Sequence, residues 1–254
     1  MRRILVTNDD GIHSPGIHAL ADALRPLGEV TIVAPLTEAS AIGHALTLRR
    51  PLRIEEFGDG KYAVDGTPTD CVNLALKVIL EGAAPDFVAS GINKGYNLGD
   101  DVTYSGTVAG ALEAALLGIP AMAVSLGNGG KPGADFGPPA AVAAEIAEAL
   151  LARPLPARTF VNVNVPPGTL RGFRTTVQGL RNHETTITAR VDPRGRSYYW
   201  IDELQCDWHD HDGSDYVAVR DGYVSVTPLQ PDLTAHAHLD LVSGLSLTRI
   251  EARR

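Results

Sequence analysis

The amino-acid sequence predicts an α/β protein: a mostly parallel β-sheet flanked by helices, with a C-terminal β-hairpin arm and tail. Short runs rich in β-branched residues alternate with Ala/Leu-rich stretches of helical period through the first two thirds of the chain. The short runs are apolar at successive positions rather than at every second one, as strands covered on both faces are. Beyond about residue 172 the rhythm changes to polar, β-leaning segments.

Each element has its own justification. Residues 3–7, RILVT, are the first strand, and a helix follows over 16–27 with Ile17, Leu20, Ala21 and Leu24 at helical spacing. The second strand is 30–34, closed by Pro35. A helix over 67–80 starts with Thr67 as N-cap, Pro68 at the first helical position and Asp70 in the first turn. A strand at 86–90, a helix at 107–117, a strand at 121–126, a helix at 140–151 and a strand at 159–165 continue the alternation. Pro166 and Pro167 stop the last of these. Residues 175–199 flank the turn Asp192-Pro193-Arg194-Gly195 and predict a hairpin of the kind that often packs on a second subunit. With no repeat, low-complexity tract or linker, one domain over 1–254 is expected: an α/β core over about 1–172, then an oligomerisation arm and extension over about 173–254.

Composition sets the outer limits. The chain has 254 residues, long enough to bury a sizeable core, and 44% of them are hydrophobic. Its 22 Lys and Arg against 30 Asp and Glu give a net charge of -8, which argues against duplex nucleic acid as a partner. A small anionic substrate remains compatible, because one cation in a pocket reverses the local field. The two cysteines, Cys71 and Cys206, form no CxxC pattern, so neither a disulfide framework nor a thiolate metal cluster is expected. MRRILVTNDDG lacks the long apolar stretch of a signal peptide, and no apolar run is long enough to span a bilayer. The expectation is a cytoplasmic, soluble protein without a membrane partner.

The chemistry begins at Asn8-Asp9-Asp10-Gly11, where an apolar strand runs into two adjacent carboxylates. Like charges about 4 Å apart repel by roughly 1 kcal/mol in water and about 4 kcal/mol at an effective dielectric of 20. In open α/β sheets ligands bind at the carboxyl ends of the strands. There this chain carries Asp9 and Asp10 after strand one, Ser40 and Gly43 after strand two, and Asn93 and Lys94 after the strand at 86–90. Carboxylates, a hydroxyl and an amide carbonyl are the hard oxygen donors that Mg²⁺ or Mn²⁺ prefers. Ser105 and Thr107 flank Gly106 at a helix start, where free amides and the helix dipole favour an anion; a plain N-cap explains Ser105 equally well. GIHSPG at 11–16 lacks the GxGxxG spacing and the GK[ST] of a P-loop, the D-x-D of the aspartyl phosphatases is absent, and there is no GxSxG elbow.

The strings ILVTNDDGIHSPGI, VTIVAP…EASAIGHALT, VDGTPTDCV, SGINKGYNLGDDVTYSGTVAGALEAA, IPAMAVSL, VNVNVP and VSVTPLQPDLT resemble, in order, the SurE family of metal-dependent 5'-nucleotidases. The resemblance covers nearly the whole chain. It implies a Rossmann-like core, a C-terminal arm exchanged between subunits, and a homodimer or homotetramer. It also implies hydrolysis of nucleoside 5'-monophosphates, and sometimes of 3'-nucleotides or short polyphosphate. One divalent cation per subunit, Mg²⁺ or Mn²⁺, would be held by Asp9, Asp10, Ser40 and Asn93. Asn93, Ser105, Gly106 and Thr107 would hold the phosphoryl oxygens. Gly213-Ser214-Asp215 stands where the family more often has Gly-Thr-Asp, with the hydroxyl retained.

Asp9 or Asp10 is the candidate to accept the proton of an attacking water, and the sequence does not choose between them. Thr67 and Pro68 have two readings, a helix start or a nucleoside contact, and Gly43 joins them as a candidate nucleoside contact. Lys94 either adds charge to the site or is solvated, and His44 either touches substrate or is polar surface. His209 and His211, with Asp210 or Asp212, offer a separate zinc site as the rival to a solvated loop. The alternatives in function are a nucleotide-binding regulator that keeps the cradle without turnover and a phosphatase acting mainly on 3'-nucleotides or short polyphosphate.

Overall fold

The computed structural model describes residues 1–181, 185–203 and 207–245. Cys206 and the end of the expected extension, 246–254, therefore lie outside the described residues, as does 182–184 within the hairpin segment.

The chain opens with β1 (Arg3–Thr7), α1 (Pro15–Leu24) and β2 (Glu29–Pro35), then adds the short strands β3 (Ile54–Glu56) and β4 (Lys61–Val64). Next come α2 (Pro68–Leu74), β5 (Phe87–Lys94), α3 (Gly106–Leu116), β6 (Ala121–Leu126), α4 (Gly137–Ala152) and β7 (Phe160–Val165). The C-terminal third holds β8 (Phe173–Thr175), β9 (Thr185–Val191), β10 (Ser197–Glu203), α5 (Asp215–Arg220), β11 (Val224–Leu229) and α6 (Leu239–Ser243). The main sheet has nine strands in the order β3-β4-β2-β1-β5-β6-β7-β11-β8. The pairs from β4 through β7 are parallel; β3 and β11 each run antiparallel to a neighbour.

Period-two alternation inside a doubly covered sheet explains the continuous apolar runs. Ile4 and Val6 of β1 pack with Ile17 and Leu20 of α1 and Ala143 of α4 on one face. Leu5, between them, packs on the other face with Cys71 and Val72 of α2 and Val108 of α3. All three β1 residues are at most 1% exposed. Burying each such side chain is worth about 1.5–3 kcal/mol.

The helix expected over 67–80 begins as expected, then winds as a π-turn over Ala75–Ile79. The strand expected at 86–90 runs on to Lys94, with one extra residue against β6 between Ser90 and Asn93. That bulge falls at Gly91, whose φ is +143° and whose added Cβ would lie 2.4 Å from the Val124 carbonyl oxygen. The hairpin is present as β9 and β10, a separate two-stranded antiparallel sheet. The main sheet does not end near residue 172, however: β8 and β11 return to it, with β11 paired to β7. Among the described residues no helix is long and apolar enough to cross a membrane.

From β1 the chain moves one way to β2 and β4, then returns to add β5 on the other side of β1. The crevice beyond the carboxyl ends of β1 and β5 is thus a topological switch point, where open α/β sheets bind ligands.

Candidate active site

The turn after β1 is built around Asn8. Its buried side chain accepts from the Gly11 N–H at 3.2 Å and donates to the Gly11 carbonyl at 3.1 Å. Gly11 has φ +92°, open to glycine at little cost. This Asn-Gly clamp leaves Asp9 and Asp10 at the mouth of the crevice. The Asp9 carbonyl then accepts from the Ala39 N–H at 2.8 Å, which draws the loop after β2 over the same spot.

A cleft of about 440 Å³ opens there, lined by Asp9, Asp10, Ser40, Asn93 and Ser105. Segments far apart in sequence therefore meet at one sheet edge. Glu38, Lys94, Tyr96, Asn97, Asp101 and Tyr104 complete most of the wall. Of these only Lys94 was singled out by sequence. The rest sit in the same loops, but nothing in their residue types marks which side of a short loop they face.

Asp9 is 4% exposed, and burial raises its carboxyl above the usual range. Its Oδ1 accepts from the Thr107 hydroxyl, which opposes that rise. Gly106 presses on the same side chain: a Cβ there would lie 2.7 Å from Asp9 Cβ and 3.0 Å from Asp9 Oδ2. Burial, then the charge of Asp9, push the Asp10 carboxyl up to about 6, and Lys94 Nζ at 3.5 Å from Asp10 Oδ1 pulls the other way. Lys94 is thus part of the site rather than a solvated residue. Asp10 Oδ2 is buried without a hydrogen-bond partner, a costly condition for a carboxylate oxygen. The Ser40 hydroxyl donates to Glu38 Oε1 at 2.7 Å. The Asn93 amide nitrogen donates to the Gly95 carbonyl at 3.1 Å, leaving its oxygen as the donor atom for a cation.

The donor set fits a hard divalent ion. An orphaned carboxylate oxygen, a second carboxylate, a hydroxyl and an amide oxygen face one cleft, and among the described residues lining it Lys94 is the one cation beside Asp9, Asp10, Glu38 and Asp101. An anionic substrate could not enter so acidic a cleft without added positive charge.

The SGT turn divides. Ser105 lines the cleft and caps α3, its Oγ accepting from the Val108 N–H at 3.1 Å. Thr107 is fully buried and its hydroxyl donates to the Asp9 carboxylate. Gly106 provides the close approach that lets α3 sit against Asp9.

None of the three candidate nucleoside contacts, Gly43, Thr67 and Pro68, lines that cleft. Thr67 forms a full capping box with Asp70, and its hydroxyl donates to the Ala45 carbonyl at 2.7 Å. Its hydrogen bonds are spent on the helix start, and it borders a different hollow, with Thr47 and Arg50. Pro68 Cγ packs 3.2 Å from the Cβ position on Gly106. Gly43, φ +59°, donates its N–H to the Tyr104 carbonyl at 2.8 Å. His44 is committed to Glu113, Nε2 to Oε2 at 2.7 Å, and Asn73 donates to the other oxygen of that carboxylate. Among the described residues no three His, Cys, Asp or Glu side chains gather as a metal site, which leaves the zinc alternative at His209 and His211 without support. The same fact means that a cation at Asp9 and Asp10 must draw on hydroxyl and amide oxygens as well.

The family model for survival protein SurE matches residues 4–185. The chain belongs to the SurE family. It is 55% identical over 254 residues to the 5'-nucleotidase SurE of Geobacter sulfurreducens, covering 98% of this chain and 96% of that one. It is 51% identical over 245 residues to the 5'-nucleotidase SurE of Syntrophotalea carbinolica, covering 96% and 98%. The crystal structure of the SurE protein from Aquifex aeolicus superposes with a TM-score of 0.84 at 44% identity, covering 95% of this chain and 98% of that one. The Rossmann-like core expected from the resemblance is therefore the fold of a SurE protein, with its mostly parallel sheet and separate hairpin.

Proposed function

We propose that this SurE protein is a divalent-cation-dependent phosphomonoesterase that hydrolyses nucleoside 5'-monophosphates to nucleoside and phosphate. The observation that carries the reading is the orphaned Oδ2 of Asp10 beside Asp9, Ser40 and Asn93 in one acidic cleft, with the N-terminus of α3 facing it. The names of the relatives in Geobacter and Syntrophotalea agree with it.

Asp9, Asp10, Ser40 and Asn93 would hold one Mg²⁺ or Mn²⁺. Such an ion supplies charge neutralisation for the phosphoryl oxygens and acidifies water for in-line attack on phosphorus. The protein's own groups do the rest. Thr107 and Gly106 hold the Asp9 carboxylate still from two sides. Ser105 and the first N–H groups of α3 face the phosphoryl oxygens, where the helix dipole favours negative charge. Lys94 adds a positive charge beside Asp10 Oδ1. A carboxylate of the Asp9–Asp10 pair takes the proton of the attacking water. The nucleoside extends toward the open side between Tyr104 and the loop carrying Ala41 and Gly43. The hairpin is proposed as the arm that joins subunits into a dimer or tetramer. A free two-stranded sheet is marginal in water, yet Tyr199, Trp200 and Ile201 are 65%, 60% and 72% exposed.

Phosphate release from a panel of nucleoside monophosphates with Mg²⁺ or Mn²⁺ tests the reading. Asp9→Asn is expected to abolish cation-dependent turnover while the chain remains folded. Near-normal release from that variant at saturating cation overturns it.

A further inference from the structure

One wall of the cleft is held from the root of the hairpin arm. That wall is the segment 99–105, a 3-10 turn (Gly99–Thr103) followed by Tyr104 and Ser105. Its node is Asp101. The Asp101 carbonyl accepts from the N–H groups of both Tyr104 and Ser105 at 3.1 Å, so its position sets theirs. Its carboxylate is bound by the Arg181 guanidinium, and Arg181 stands just before β9. The Arg181 side chain is 11% exposed and lies over the ring of Trp208, 5.7 Å from the centroid. Trp208 follows β10, pairs with Arg181 in an isolated bridge and stacks on Tyr216 at 4.5 Å. Both roots of the hairpin thus meet at Arg181, which binds Asp101.

A second clasp fixes the start of the same wall. Asp215 is fully buried and accepts the N–H groups of Gly99 at 2.9 Å and Gly179 at 2.8 Å. Gln178 donates to the Gly99 carbonyl at 3.0 Å. Gly99 has φ +53°, and a Cβ on it would meet the Gly179 carbonyl oxygen at 2.6 Å, so the two backbones touch. Segments 178–181 and 208–216 therefore close on the wall that carries Ser105, about a hundred residues earlier in the chain.

We propose that Arg181 is a positioning residue for the hydrolysis: through the Asp101 carboxylate it holds the 99–105 wall so that Ser105 and the start of α3 meet the phosphoryl group. The inference rests on the proposed nucleotidase reading. A bidentate-capable guanidinium suits the task, because a lysine replaces its charge but not its fork. Arg181 does not itself line the cleft.

The test uses the full chain with Arg181→Ala, Arg181→Lys, Asp101→Asn and the Arg181→Ala/Asp101→Asn double variant. Calorimetry of inorganic phosphate binding in the presence of Mn²⁺ needs no turnover, so it reads the proposal even if no nucleotide is hydrolysed. Arg181→Ala is expected to weaken phosphate binding about tenfold and to lower kcat/KM by about 10- to 100-fold. Arg181→Lys recovers part of each loss, and the double variant is no worse than the poorer single one. The rise in melting temperature on adding Mn²⁺ and the mass by light scattering stay as in the parent. Phosphate affinity and kcat/KM within about twofold of the parent in Arg181→Ala overturn the proposal. So does a loss that appears only together with a lost Mn²⁺ effect or a dissociated chain. Failure of the parent to release phosphate from any nucleoside monophosphate sinks the nucleotidase reading instead.

Discussion

Gly106→Ala isolates the contact between α3 and the Asp9 carboxylate, the proposed cation ligand. The added methyl would sit 2.7 Å from Asp9 Cβ, 3.0 Å from Asp9 Oδ2 and 3.2 Å from Pro68 Cγ. Carbon atoms rest about 3.5–4.0 Å apart, so Asp9 or the helix must retreat by about 1 Å. Overpacking of this kind costs about 1–3 kcal/mol, and the higher helix propensity of alanine returns up to about 1 kcal/mol. A net loss of about 0–3 kcal/mol lowers the melting temperature of a chain this size by no more than about 12 °C. The chemistry should suffer far more, because a misplacement of about 1 Å at a reacting centre costs roughly 100-fold in rate.

Gly110→Ala is the matched comparison. It lies one turn along the same helix, and its Cβ would meet Ser90 Oγ and Thr7 Cγ2, each at 2.9 Å, the three nearest atoms all belonging to Ser90 and Thr7. The two variants should be destabilised alike, but only Gly106→Ala should lose about two decades of kcat and most of the Mn²⁺-induced rise in melting temperature. Phosphate release with AMP and thermal melts with and without Mn²⁺ read both. A folded Gly106→Ala with kcat within about threefold of the parent refutes the reasoning, as does an equal loss in Gly110→Ala.

Two further predictions concern charge and assembly. Burial raises the Asp10 carboxyl from 3.8 to about 6, so on raising the pH the unfolded chain loses this proton before the folded one does. The cation-free fold is therefore weakened from about pH 4 upward, the effect is complete above about pH 6, and screening limits it to roughly 1–2 kcal/mol. Asp10→Asn should melt higher than the parent at pH 7.5 without cation and should no longer respond to Mn²⁺, while the parent's response should shrink as pH falls through 6. A lower-melting Asp10→Asn that still responds to Mn²⁺ contradicts this. In the hairpin, Trp200→Ser with Ile201→Ser removes two exposed apolar side chains and should lower the mass seen by light scattering while leaving the melt of the core nearly unchanged. An unchanged mass removes the hairpin from any role in assembly.

What was legible in the sequence followed physical periodicity. The strands β1, β2, β5, β6 and β7 carry apolar residues on both faces, a pattern that loops and amphipathic helices do not make. The short strands β3 and β4 escaped because Ile54–Glu56 and Lys61–Val64 are mostly polar or half-exposed at one edge of the sheet. β11 escaped for another reason: Pro228 stands inside VSVTPL, and a proline argues against a strand with neighbours on both sides. The topology resolves this. β8 pairs only with Val224, Ser225 and Val226, so at Pro228 one flank of β11 needs no N–H donor.

The site divides along the same line. Asp9, Asp10, Ser40, Asn93 and Ser105 line one cleft because each closes a strand, lies in the loop after one or starts a helix at one edge, and topology alone brings such ends together. Thr107 could not be placed in this way, since one residue's rotation about a helix start decides whether a hydroxyl meets a phosphate or Asp9. Nor could the Arg181–Asp101 pair, which depends on a connection of 80 residues closing at one point. Residue type and spacing identify what gathers at the end of a strand. They carry no record of which distant segment leans on it, and behind Ser105 that segment is the root of the hairpin, through Arg181 and Asp101.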